Sequence, residues 1–186
     1  MDIPVSILQQ LRRLAKPSNL AGMARFGIDT SSALGVSIPA LRRLARAHRR
    51  DHALALALWK TGIHEARILA SLVDDPRQVT AAQMDTWARD FRSWDLCDQV
   101  CNNLFNRTPH AWRKAMQWSR RRPEFIRRAG YVLMATLAVH DKNASDADFE
   151  PCFDAIRRGA TDERNFVKKA VNWALRQIGK RNPALR

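Results

Sequence analysis

Six consecutive residues, Ser93-Trp94-Asp95-Leu96-Cys97-Asp98, place an aromatic ring and two carboxylates at the start of a predicted helix. Trp94 and Asp98 stand four residues apart, so both project from one helical face. The chain around them is basic: 32 Lys and Arg against 18 Asp and Glu give a formal net charge of +14. That charge predicts a polyanionic partner, either nucleic acid or an anionic membrane surface. Acids weaken a surface that grips phosphates. A Trp and an Asp on one face therefore suggest a site that acts on the bound polyanion. Two further sets have the same flavour: Trp173 with Lys169 four residues before it and Arg176 three after, and the pair Arg127 and Tyr131.

Each of these residues also has a plainer reading. Asp95, in a first helical turn, complements the helix dipole. Asp98 is either a structural salt-bridge acid or the reactive carboxylate. Trp94 and Trp173 are either core residues or site residues, whereas Trp59, Trp87, Trp112 and Trp118 are expected in the core. Arg127 is a phosphate contact or an ion-pair partner between helices. Composition and spacing alone reach a basic helical array that binds nucleic acid.

The elements that must position these residues are short amphipathic helices. Ser37 before Ile38-Pro39 reads as an N-cap with a proline near the helix start. Thr80 with Gln83 makes a capping box, Ser93 is expected to cap the following helix, and Pro109, Pro123 and Pro151 fall where helices should begin. No segment alternates with period two, so no sheet is expected. Basic residues followed by small and apolar ones recur at Arg67, Arg127 and Lys168. With Asp98 as a fourth marker, the steps are 31, 29 and 41 residues. This irregular period of helix pairs predicts an all-α, HEAT-like α-solenoid, a single domain over residues 1–186 with a concave basic face.

Charge is uneven along the chain. Seven basic residues and one acid, Glu124, lie between Arg113 and Arg128, and seven more with no acid follow from Arg164 to Arg186. The acid-rich segment from Asp141 to Glu163 is expected to face away from a polyanion. Hydrophobic residues make up 46% of the chain, which argues against disorder. No apolar run approaches the roughly 20 residues that span a bilayer, and Met1-Asp2-Ile3-Pro4 lacks the pattern of a secretory leader. Cys97, Cys101 and Cys152 lack zinc-ligand spacing and are expected as buried thiols. The calcium-like start at Asp141 fails at its sixth and twelfth positions, Asp146 and Cys152. Neither a metal nor a cofactor is expected.

Several of these motifs carry a family resemblance. From about Met23 to Pro183 the chain resembles the AlkD-like DNA alkylation repair enzymes, HEAT-repeat DNA glycosylases. The matching pieces are Phe26-Gly27-Ile28, Gly35-Val36-Ser37-Ile38-Pro39, the Ser93–Asp98 motif, Ile126-Arg127-Arg128-Ala129, and Phe166 through Arg176. The resemblance implies that Asp98 is the catalytic carboxylate, assisted by Trp94 and Trp173. It also implies a phosphate contact at Arg127 or Arg128. Lys168, Lys169 and Arg176 would complete the DNA-binding set. Met23 departs from the tyrosine that members often place on DNA. The implied partner is duplex DNA with alkylated bases, acted on by a monomer in the cytoplasm without base flipping.

The chemistry is consistent with one acid. Cleaving an N-glycosidic bond builds oxocarbenium-like charge on the sugar, which a carboxylate stabilises. An N3-alkyladenine or N7-alkylguanine is already cationic and leaves without a proton donor. The rival expectations are a catalytically inactive binder of DNA structures on the same scaffold and a scaffold for an acidic protein.

Overall fold

Three of the described α-helices begin where a side chain satisfies a free amide, at Asp51, Thr80 and Ser145. The computed structural model describes residues 5–186, with side chains from Ile7 onward; the reading of Met1–Pro4 lies outside the described residues. Asp51 accepts the Leu54 amide at 2.9 Å and starts α4 (His52–Lys60). Thr80 accepts the Gln83 amide at 3.1 Å and starts α6 (Ala81–Arg89). Ser37 holds the N-cap position of α3 (Ile38–Ala45) in extended backbone, with Pro39 in the first turn, but its side chain makes no cap hydrogen bond. Pro123 occupies the N-cap position of α9 (Glu124–His140), and Pro109 lies just before α8 (Ala111–Trp118).

Two expectations fail locally. Ser93 occupies the N-cap position of α7 (Trp94–Asn103), but its hydroxyl donates to the Asp95 carboxylate at 2.7 Å instead of accepting an amide. Pro151 lies inside α10 (Asp146–Gly159) and does not start it. A reciprocal Ser145–Asp148 capping box begins that helix earlier, and the exposed proline is carried along.

The described residues divide into two compact units, one ending at Val79 and the other spanning Thr80–Arg186. The first contains α1 (Val5–Arg13), α2 (Leu20–Arg25), α3, α4 and α5 (His64–Val73). Its long α2–α3 connection is held by one buried carboxylate. Glu65 accepts the amides of Leu34, Gly35 and Val36 at 2.8, 2.7 and 3.2 Å. Gly35 has φ +77°, and a Cβ there would collide with the Lys16 carbonyl. The Gly35–Pro39 motif is thus a backbone requirement of this unit.

The second unit holds α6 to α10 and α11 (Asn165–Gly179) as three helix pairs. Its centre is α9, buried without a break from Arg128 to Ala138, as expected for a helix that is apolar on all sides. α7 and α11 flank α9, while α8 packs behind it. α7 and α9 run parallel: the Cys97 thiol donates to the Phe125 carbonyl (3.6 Å) and the Cys101 thiol to that of Ala129 (3.9 Å), a constant offset of 28 residues. All three cysteines are buried free thiols. Trp59, Trp87 and Trp118 are buried; Trp112 is only half-buried and donates to Asp141 at 3.0 Å. No strand occurs among the described residues, and no helix there is long and apolar enough to cross a membrane.

Two glycines set the closeness of the helices around α9. A Cβ on Gly130 would strike the Ser119 backbone nitrogen, and one on Gly159 would strike the buried Tyr131 ring. A freely exposed helical Gly→Ala change would stabilise by about 0.5–1 kcal/mol. Gly130→Ala is expected to reverse that sign and cost about 1–3 kcal/mol. The check is the urea midpoint at unchanged slope; stabilisation would show that α8 and α9 separate freely.

Candidate nucleic-acid site

The second turn of α9 carries Arg127 and Arg128, and their side chains go to different places. Arg128 falls on the buried stripe with Val132 and Ala135 and is 5% exposed. Its Nε and Nη2 donate to both carboxylate oxygens of Asp98 on α7, at 2.9 and 2.8 Å, and its Nη1 donates to the Phe166 carbonyl on α11 at 2.5 Å. One guanidinium therefore ties three neighbouring helices at their N-terminal ends. Sequence expectation made Arg128 a DNA contact; burial and these three bonds turn it inward, where it serves Asp98.

Asp98 keeps 18% of its side chain exposed. Burial pushes its carboxyl above the ordinary range, Arg128 pulls it back, and Asp95 adds a smaller upward push. Each oxygen accepts one N–H from Arg128 and retains a further lone-pair direction. Trp94, one turn earlier and half-buried, shares the flank of α7 that borders α9. On α11, Phe166, Lys169, Trp173 and Arg176 form one stripe at helical spacing. The Phe166 ring meets Phe125 of α9 with centroids 5.7 Å apart, so this stripe also borders α9. Trp173 is half-buried, and Lys169 and Arg176 are exposed beside it. Lys168, also exposed, falls on a different face of α11. The site is elongated, since Trp173 lies roughly 10 Å along α11 from Phe166.

Arg127 is also partly withdrawn. Its Nη1 pairs with Asp162 at 3.1 Å, and its side chain is 23% exposed. Asp162 is 5% exposed and bound by Arg164 through Nε–Oδ1 (2.9 Å) and Nη2–Oδ2 (2.6 Å). Arg164 holds this carboxyl below its usual range. The acid-rich segment was expected to face away from the basic surface, yet Asp162 sits among arginines. Lys114 is another basic residue that is not at the surface. It is 2% exposed, and its ammonium meets Asp85 at 2.6 Å and lies over the Trp118 ring. Spacing could have flagged Arg128, because a charge on an otherwise apolar stripe demands a buried partner. No signal in the sequence identified the partner.

Comparisons with known proteins now fix the family. The family model described as DNA alkylation repair enzyme matches residues 7–186. The chain belongs to that family. A solved structure reported as "a new family of proteins related to the HEAT-like repeat DNA glycosylases with affinity for branched DNA structures" shares its fold, with a TM-score of 0.83. The two are 21% identical over 96% of this chain and 76% of the other. None of the curated proteins matches significantly. The family and fold expected from the Ser93–Asp98 and Phe166–Arg176 motifs are thereby borne out. In this chain Met23 lies half-buried in α2, and the nearby Phe26 is 70% exposed.

Breaking a buried pair leaves its partner's charge uncompensated. Arg128→Met is expected to cost about 3–5 kcal/mol of folding stability. Adding Asp98→Asn should restore part of that loss, because the stranded carboxylate is removed. A double-mutant cycle by urea unfolding tests the coupling. Simple additivity would show that the two groups do not depend on each other.

Proposed function

We propose that this protein is a monomeric DNA glycosylase that hydrolyses the N-glycosidic bond of cationic alkylpurines in duplex DNA. The observation that carries this reading is Asp98: a largely buried carboxylate, 18% exposed, gripped on both oxygens by a buried arginine, beside Trp94 in a chain of charge +14. Arg128 keeps the carboxylate ionised and oriented although it is largely withdrawn from water. The lone-pair directions left on Asp98 face the sugar, stabilise its growing positive charge and orient the attacking water. A lesion such as N7-methylguanine or N3-methyladenine leaves as a neutral base, so no second carboxyl is required.

Trp94 and Trp173 present π-faces to the deoxyribose, whose hydrogens become more positive toward the transition state. Lys169 and Arg176 hold the backbone on the Trp173 side, and Lys168 adds to the field. Arg127 contacts a phosphate with the guanidinium edge that Asp162 leaves available. An open, elongated site of this kind takes the lesion without flipping it into a pocket.

A second reading is a non-catalytic binder of branched DNA. It is favoured by the affinity for branched DNA reported for the protein of shared fold. Release of alkali-labile sites from DNA containing N7-methylguanine separates the two. Asp98→Asn should abolish most excision while DNA affinity holds or rises, since a negative charge is removed. Intact binding to branched DNA with no release from any alkylated substrate selects the second reading.

The pH profile is a further check. The Asp98 carboxyl is raised, so the active, ionised form is lost as pH falls through a value above the ~4 of an ordinary aspartate. Arg128→Gln removes the opposing pull and should move this acid limb to still higher pH. An unmoved limb would remove Asp98 from the rate-controlling step.

A further inference from the structure

The turns that join the two helices of each pair in the second unit lie at one edge, beside the N-terminal ends of α7, α9 and α11. They carry Arg92, then Arg120, Arg121 and Arg122, then Arg164. The first four are exposed. The turn between α8 and α9 is fastened to the next one: Arg164 spends Nε and Nη2 on Asp162 and donates its Nη1 to the Arg122 carbonyl at 2.6 Å. Asp162 also holds Arg127.

We propose that this stapled turn is a phosphate-binding edge that grips the DNA backbone outside the Trp94–Asp98 site. The inference rests on DNA as the partner and not on base excision. Three consecutive exposed arginines repel one another and would spread in a loose loop. Here Asp162, whose side chain is 5% exposed, anchors Arg164, and Arg164 fixes the backbone that presents them. The opposing acids on the edge are Asp90, Asp95 and Glu124, which are half-buried, and the exposed Glu163. The partial positive charge at the starts of α9 and α11 adds to the field. The edge also supplies phosphate contacts that Lys114 and Arg128, both buried, do not. Asp162 is thus an acid that strengthens phosphate binding, by positioning cations.

The test is binding to an undamaged duplex across a salt series, with folding followed by circular dichroism. Replacing Arg120, Arg121 and Arg122 together by Ala should make the slope of log K against log salt shallower by about 2–3. Asp162→Asn should weaken binding several-fold. Charge alone predicts the opposite, because it removes a negative group from beside phosphates. Arg164→Lys keeps the net charge but cannot reach three acceptors, so it should weaken binding too and serves if Asp162→Asn does not fold. An unchanged affinity and slope in the triple variant overturns the proposal. Equal or tighter binding by Asp162→Asn, or by Arg164→Lys in its place, overturns the staple. Neither result depends on excision, so a glycosylase reading that fails leaves this test standing.

Discussion

Arg128 reaches from the middle helix of three to a carboxylate on one side and a backbone carbonyl on the other, and the second unit is arranged around that reach. A guanidinium is planar and permanently charged, with donors along several edges. It can therefore serve Asp98 on both oxygens and still bind Phe166. A buried charge is tolerated only when it is paired and fully hydrogen-bonded. This single requirement fixes the spacing of α7, α9 and α11 at their N-terminal ends. The two thiol contacts from Cys97 and Cys101 to α9 bracket the Asp98–Arg128 pair in parallel register. The glycines at 130 and 159 let α8 and α10 approach closely behind.

The same constraint shapes the proposed chemistry. A carboxylate in a strongly basic protein is easily neutralised by whichever cation lies nearest, and a flexible lysine would swing in and cover it. Arg128 approaches from below, within the helix layer. It compensates the charge and leaves 18% of the Asp98 side chain exposed, one turn from Trp94. Burial raises the carboxyl while the arginine restrains it. Asp162 repeats this logic at the edge of the unit, where one acid organises two arginines. In the first case a buried cation fixes where an acid points; in the second an acid fixes where two cations point.

Much of the fold is legible from local features. Thr80 marks a helix start by accepting a free amide, and Ser37 and Pro123 mark theirs by non-helical backbone just before the first turn, all short-range matters. Helix type follows from apolar spacing, and the four repeat markers all fall on the second helix of a pair. The failures are local competitions. Ser93 had an acceptor nearer than its amides in Asp95, and Pro151 was overruled by a stronger start signal at Ser145. The candidate site was only partly legible. Trp94 and Asp98 share a helix, so spacing places them together. Arg127 and Arg128 are adjacent in sequence, yet one turns to Asp162 and the other to Asp98.

The sequence by itself determined the helices, the basic character, the Trp94–Asp98 pair and the family motifs, since each depends on composition or on residues within one or two turns. Tertiary structure decided which charges are tools and which are scaffolding. Lys114 and Arg128 count toward the net charge, but they lie inside and bind Asp85 and Asp98. Asp162 looked like part of an acidic segment and became the anchor of an arginine cluster. The physical reason is range. A helix face follows from spacing, whereas the partner of a buried charge comes from a segment some 30 residues away, as Asp98 and Arg128 are. Only packing chooses it.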